Sequence, residues 1–321
     1  MNINEKKVDL ANRIYDNLSR LIDRDYVLLS LPYHYNIGDT LIYEGEIDFF
    51  KLIPYNCIYS TSTFNFDDRK IPQDALIIFH GGGNFGDVYR DESEFKNQII
   101  RKYPRNKILL LPQTVYYKDE KNLKSDADLF AKCSDLTICA RDSVSFDLLS
   151  KHFISNKIIL VPDMAFCIDN TKLTKVKGGH ETLFLRRTDV EFCSSTDYTL
   201  VPANAIVADW PTITHVPLCY FLHNYLRHIV KLALKISWNS HGKKRYHHYI
   251  DNIWKTIILP YNVKEGIRFI NSYENVYTTR LHGAILSALL EKKVYLYDNI
   301  YGKNSSFFNT WLSDVDNIKL I

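Results

Sequence analysis

The sequence predicts an α/β protein made of two Rossmann-like domains facing each other across a cleft. Three observations carry that expectation: short apolar runs alternate with helical segments, the runs lack polar alternation, and a polar stretch divides them into two sets. Strands buried on both faces need uninterrupted apolar runs, and their alternation with helices is the pattern of a parallel sheet covered on both sides. A chain of 321 residues suggests two domains of about 150 residues each.

The first strand is read at Tyr26–Leu31, closed by Pro32, and a helix follows from about Thr40 to Leu52. A second strand is placed at Asn56–Ser60 and a third at Asp74–Phe79, which empties into Gly81, Gly82 and Gly83. Glu92–Lys102 is helical, and Lys107–Leu111 is a strand stopped by Pro112. Ser125–Cys133 and Ser143–Lys151 are helices, with strands at Leu136–Cys139 and Lys157–Val161. These elements make up an N-terminal domain over 1–168. The polar residues Lys172, Lys175, Lys177, Gly178 and Gly179 mark a linker over 169–180. The C-terminal domain, 181–321, has strands at Glu181–Leu185, Ala205–Ala208, Asn275–Thr279 and Val294–Tyr297, with a helix Gly283–Leu290.

Composition narrows the function classes. A net charge of +3 with 46% hydrophobic residues describes an ordinary globular chain, with no broad basic surface to indicate nucleic acid. The N-terminus lacks the basic-then-apolar pattern of a secretory signal, and no apolar run is long enough to span a bilayer. The six cysteines are scattered, without C-x-x-C or zinc spacing, so reduced core thiols in the cytoplasm and no metal are expected.

Ligands of open α/β sheets sit at the carboxyl ends of the strands, so those loops are the candidate site. In the first loop, Asn36, Gly38 and Asp39 precede a helix. Gly38 allows an unusual backbone angle, and Asp39 is either a functional acid or, with Thr40, a helix cap. The run His80, Gly81, Gly82, Gly83, Asn84, Phe85, Gly86 fits G-x-G-x-x-G. It follows a later strand, however, and no acid ends the next one, which disfavours a dinucleotide site. It is either a tight turn or a set of backbone N–H groups open to an anion or sugar. Arg141 and Ser143 start a helix. Ser143 is expected to cap it, its N–H groups to face the cleft, and Arg141 to grip a carboxylate or phosphate. Asp163 is similarly placed. In Arg280-Leu281-His282-Gly283, Arg280 and His282 lie two residues apart before a helix and are expected to point the same way. That pairing suits an anionic substrate whose reaction moves a proton near neutral pH.

Between Trp210 and Ile250 there is no Asp or Glu, while Arg227, Lys231, Lys235, Lys243, Lys244 and Arg245 are all present. The helical wheel from Leu222 to Ile236 puts Leu222, Leu226, Ile229, Ala233 and Ile236 opposite Arg227, Lys231 and Lys235. This basic amphipathic insertion, around 217–250, is either an ordinary surface helix or a contact with the anionic inner leaflet through 222–236; nucleic acid is a third option for which one short patch is thin support.

Taken in order, Asn36-Ile37-Gly38-Asp39, Gly81-Gly82-Gly83-Asn84, Pro112-Gln113, Arg141-Asp142-Ser143, Asp163 and Arg280-Leu281-His282-Gly283 resemble the polysaccharide pyruvyl transferase family. The resemblance implies a fold similar to GT-B glycosyltransferases, phosphoenolpyruvate as co-substrate with no cofactor, a glycan acceptor, and a cyclic pyruvate ketal as product. Arg141, Arg280 and His282 match its donor-site positions, with Gly283 and Ser143 beside them, and Asp39 matches its first-loop acid. On this reading His282 is the general acid/base, and Asp39 accepts a hydroxyl proton or orients His282. Asn36, Gly38, His80, Gly81, Gly82, Gly83, Asn84 and Gln113 are expected either to line the acceptor side or to shape the loops around it. The basic insertion adds the expectation of a lipid-linked acceptor at the inner face of the plasma membrane. A nucleotide-sugar glycosyltransferase and a non-catalytic glycan- or membrane-binding protein are the competing readings.

Overall fold

The computed structural model describes residues 1–176, 179, 181–214, 225, 232 and 240–321. Helix α1 (Ile3–Leu18) comes first, capped by the Asn2 side chain and burying Ile3, Leu10, Ile14 and Leu18. The N-terminal half continues with β1 (Tyr26–Leu29), α2 (Ile37–Phe50), β2 (Cys57–Ser60), β3 (Leu76–Phe79), β4 (Gly82–Gly86) and α3 (Arg90–Lys102). It closes with β5 (Lys107–Tyr116), α4 (Glu120–Phe130), β6 (Asp135–Ala140), α5 (Ser143–His152) and β7 (Lys157–Leu160). All its strands pair in parallel, in the order β2-β1-β3-β5-β6-β7, with β4 also on β5.

The C-terminal half holds β8 (Thr182–Leu185), β9 (Ile206–Ala208), the short α6 (Pro211–Thr214), α7 (Ser240–Ile253) and α8 (Leu259–Asn271). Then come β10 (Asn275–Thr278), α9 (Leu281–Leu289), β11 (Lys293–Leu296), α10 (Lys303–Phe307) and β12 (Ile318–Leu320). Its parallel sheet runs β12-β11-β10-β8-β9. Two parallel sheets of Rossmann-like strand order make the expected GT-B-like α/β fold. The basic amphipathic helix expected at 222–236 lies outside the described residues.

Several local expectations are corrected. Pro112 does not stop its strand, because β5 changes partners there. β3 pairs up to Phe79 opposite Leu110, β4 begins with Gly82 opposite Gln113, and the β6 ladder shifts register between the same two residues. A proline is tolerated in such a gap because no ladder bond needs its missing N–H. The glycine run is likewise a strand rather than a loop. Gly86 sits at φ 112°, where a Cβ would lie 1.9 Å from the Tyr116 carbonyl oxygen, so only glycine fits. The start of the expected linker is packed: Lys172 pairs with Glu44 and Asp48 on α2. Of the cysteines, Cys57 is exposed rather than in the core.

The two sheets share one apolar core. Leu28 and Ile78 of the first sheet, Ile37 and Leu41 of α2, Ile267 of α8, Leu286 of α9, and Leu183 and Val276 of the second sheet belong to a single buried cluster. Polar ties cross the same boundary: Ser306 donates to Asp142 at 2.8 Å, Trp311 Nε1 to the Arg141 carbonyl at 2.7 Å, and Tyr116 stacks on Tyr301. The carboxyl ends of both sheets therefore face each other in one packed unit.

Candidate active site

Between the two sheet edges lies a cavity of about 340 Å³, lined among others by Asn36, Gly38, Asp39, His80, Gly83, Asn84, Arg141, Arg280 and His282. The size falls within the ~300–1,000 Å³ range of small-molecule sites. Ser143, Gly81, Gly82, Gln113 and Gly283 are not among the lining residues.

Arg141 follows β6 and is 1% exposed. Its Nε donates to Thr114 at 2.7 Å and its Nη1 to Asp163 at 2.8 Å. A Cβ on Gly83 would lie 3.3 Å from Arg141 Nη2 and 3.6 Å from Lys303 Nζ, so both cations converge on the bare backbone of Gly83. Nη2 makes no hydrogen bond to another described side chain and remains for a ligand. Lys303, from the start of α10, donates to Glu191, which also accepts from Arg187, Asn299, Tyr301 and Tyr89. Burial lowers the Lys303 ammonium, and Glu191 offsets only part of that. The sequence reading missed Arg187 and Glu191, which share the loop after β8, and Lys303, which starts α10 over a hundred residues later.

His282 lies in the first turn of α9, which starts at Leu281 rather than Gly283; Arg280 is the extended residue before it. The two side chains both line the cavity but are held by different carboxylates. His282 Nε2 meets Asp163 Oδ2 at 3.2 Å, while Nδ1 lies against Gly38, where a Cβ would come within 3.1 Å. Gly38 is thus needed for close approach inside α2, not for an unusual backbone angle. Asp163, after β7, joins His282 to Arg141. Burial would raise its carboxyl, but His282 and Arg141 hold it far below the usual range. The residue that orients His282 is Asp163, not Asp39. Arg280 is engaged by Asp209 through both Nε and Nη2 and by Asp189 at 3.2 Å. Asp209, directly after β9, and Asp189, shortly after β8, obey the strand-end rule but went unread.

Caps also differ. Asn36, not Asp39 or Thr40, caps α2 by accepting from Gly38 N at 3.0 Å, and its amide donates to Asp39 at 2.8 Å. Burial would raise the Asp39 carboxyl, yet His34, His282, His80 and Lys303 together hold it below its ordinary value. Asp142, not Ser143, caps α5, and Ser143 is exposed. The first amides of α5 are taken by Thr310, Ser306 and Asp142, so that helix start offers no anion site. Gly283 is a packing residue: a Cβ there would lie 2.5 Å from Leu185.

On the opposite wall, buried Glu46 of α2 accepts from Gly81 N at 2.9 Å and contacts His80 Nδ1 at 2.9 Å. The Gly81 amide is thereby committed to the protein. Gln113 donates to the His80 carbonyl at 2.7 Å and fixes that turn. Asn84 Oδ1 accepts from buried Lys96 at 3.0 Å, which leaves the Asn84 amide N–H groups as donors; burial pulls the Lys96 ammonium down to about 8. Among the described residues no cluster of three or more His, Cys, Asp or Glu could hold a metal, and no helix is long and apolar enough to cross a membrane.

The chain is similar to known proteins over most of its length. The chain is 34% identical over 309 residues to the Bacillus subtilis (strain 168) protein named "Putative pyruvyl transferase EpsO", covering 94% of this chain and 88% of that one. Pyruvyl transferase 1 of Schizosaccharomyces pombe is 28% identical, with 89% and 69% covered. General stress protein 30 of Bacillus subtilis is 25% identical, with 92% and 80% covered. A solved structure of a functionally uncharacterized protein from Klebsiella pneumoniae superposes with a TM-score of 0.65 over 98% of both chains at 22% identity, a likeness of fold. The polysaccharide pyruvyl transferase family model matches residues 36–301, which include Asp39, Arg141, Arg280 and His282 of the cavity but not Ser30 or Lys303, and the chain belongs to that family.

Proposed function

We propose that this chain is a phosphoenolpyruvate-dependent pyruvyl transferase that builds a pyruvate ketal on a sugar of a lipid-linked glycan in surface polysaccharide synthesis. The observation that carries the reading is the convergence of Arg141 Nη2 and Lys303 Nζ on Gly83, in one cavity with a histidine held by Asp163. Two cations over bare backbone suit a small dianion, and a ligand phosphate or carboxylate meets charge-assisted donors there. Arg280, held by two carboxylates, is a rigid second arm on the same cavity.

In the first step the donor's methylene carbon takes a proton from His282 and becomes a methyl group. A sugar oxygen bonds to the central carbon as its O–H bond breaks. The carbon–oxygen bond to phosphate then breaks, its electron pair leaving with phosphate, and a second hydroxyl closes the ketal. Of the two hydroxyl protons, one replaces that given to the methyl group and the other leaves with phosphate. With Nε2 occupied by Asp163, Nδ1 beside Gly38 is the nitrogen of His282 that exchanges the proton. The lipid-linked acceptor is motivated by the basic segment 222–236, which brings the enzyme to an anionic inner leaflet.

The test is a mass-spectrometric assay with phosphoenolpyruvate and a panel of lipid-linked glycans, seeking a gain of one pyruvate less water. Product formed only with a nucleotide sugar would overturn the reading. Flotation with anionic vesicles at low salt tests the membrane contact, and protein remaining at the bottom refutes it.

A further inference from the structure

Ser30, Ser62 and His80 follow the carboxyl ends of β1, β2 and β3, which are neighbours in the first sheet. Their registers align: Leu28 pairs with Ser60 and Leu29 with Phe79. Continuing the ladders sets Ser30 between Ser62 and His80 in one row. Bonds beyond the strands hold the row, with Leu31 N donating to the Thr61 carbonyl at 3.1 Å and His80 N to the Leu29 carbonyl at 2.9 Å.

All three residues line the cavity. Ser30 Oγ, Ser62 Oγ and His80 Nε2 are buried and have no hydrogen-bond partner among the described residues. Buried polar atoms are nearly always paired, so three orphans side by side on one cavity wall point to a polyhydroxylated ligand. Ser30 adds a second sign: it holds φ 62°, a left-handed conformation that a serine adopts only under constraint. Phe64, 84% exposed, stands at the mouth of the same cavity and gives an apolar ring on which the C–H face of a pyranose can rest. The donor-binding cations Arg141 and Lys303 lie elsewhere, beside Gly83.

We propose that the row Ser62–Ser30–His80 is the acceptor subsite, binding vicinal or 1,3-related hydroxyls of a pyranose, and that His80 Nε2 takes the proton of the attacking hydroxyl. This rests on the pyruvyl-transfer reading. Glu46, fully buried on α2, holds Nδ1 at 2.9 Å, so the Nδ1–H is committed and the Nε2 lone pair is left to act. The hydroxyl O–H breaks, its proton moves to Nε2, and the oxygen's electron pair forms the bond to the donor's central carbon. His80 then gives that proton to the departing phosphate, while the second hydroxyl's proton restores His282. Groups facing His80 are Glu46, Asp39 and the Tyr43 ring from α2, and Lys96 from α3. Burial lowers the imidazole, but Glu46 and Asp39 bring it above its ordinary 6.5.

The experiment uses the full-length enzyme with p-nitrophenyl β-hexosides of gluco, galacto and manno configuration as acceptor probes. Ser62→Ala is expected to raise the acceptor KM about tenfold, the effect of one lost hydrogen bond, with the phosphoenolpyruvate Kd from titration calorimetry unchanged. His80→Asn keeps a donor towards Glu46 and deletes Nε2. It is expected to lower kcat at least about 100-fold and to remove the acid limb of the kcat/KM profile, which in the wild type lies above pH 6.5. Equal weakening of donor and acceptor binding, or an unchanged acceptor KM and pH profile, overturns the proposal. If the wild type binds the hexosides but does not consume phosphoenolpyruvate, pyruvyl transfer fails. Hexoside affinity in Ser62→Ala then decides the row: weakened binding keeps the subsite, and unchanged binding removes it.

Discussion

Replacing Asp163 with Asn should uncouple the two halves of the site. The carboxylate is buried, with Arg141 Nη1 at 2.8 Å, His282 Nε2 at 3.2 Å and the Ala165 amide at 2.9 Å. Asparagine keeps the acceptor for Ala165 but turns a donor towards Arg141 or His282. Arg141 is then left charged and buried, with Thr114 as its remaining side-chain partner. Removing one member of a buried pair costs about 3–5 kcal/mol. For a protein of 321 residues that lowers the melting temperature by roughly 4–8 °C.

The effect should also depend on pH. The native carboxyl is held well below its unfolded value of about 3.9, so its stabilisation is complete above that value and is lost as pH falls towards the native pKa. Urea unfolding at several pH values should therefore show the wild type more stable near pH 7, with the difference shrinking below about pH 4. A variant that melts within about 2 °C of the wild type at pH 7, or a difference that grows in acid, would refute the coupling.

Other substitutions separate packing from chemistry. Gly38→Ala puts a methyl group 3.1 Å from His282 Nδ1 inside α2, so turnover should fall at least about tenfold. Alanine favours the helix by about 0.5–1 kcal/mol, so a calorimetric scan should show no loss of stability. Lys303→Ala leaves Glu191 with Arg187, Asn299 and Tyr301 and should raise the phosphoenolpyruvate KM about 10–100-fold in a folded protein, measured by initial rates. Gly86→Ala meets the Tyr116 carbonyl at 1.9 Å with φ at 112° and should cost more than about 2 kcal/mol in urea unfolding.

The scaffold was legible because most of its strands are the apolar runs that a doubly covered sheet needs; the exceptions are β4, built on the glycine run, and the short edge strand β12, which went unread. Helix α1 was overlooked although Asn2 and the spacing of Ile3, Leu10, Ile14 and Leu18 announce it. Pro112 misled because tolerance of a proline depends on which neighbours a strand pairs with at that point, a property of the sheet rather than of the run. In the site, arginine, histidine and glycine at strand ends were visible as local motifs. Their carboxylate partners were legible only in part: Asp163 was visible at a strand end, but Asp189 and Asp209 bond to Arg280, and Glu191 to Lys303, at sequence separations that no spacing rule joins. Glu46 is the extreme case, an acid in mid-helix whose meaning appears only when His80 folds onto it.

The central claim is that one cavity transfers the carbon skeleton of phosphoenolpyruvate and releases its phosphate. Its most direct test measures inorganic phosphate and glycan-bound pyruvate in the same reaction, for the wild type and for His282→Ala. The expected result is one phosphate per ketal in the wild type and loss of both products, at least about 100-fold, in the variant. Phosphate release without pyruvylated glycan, or a folded His282→Ala protein that keeps near-normal turnover, would contradict it.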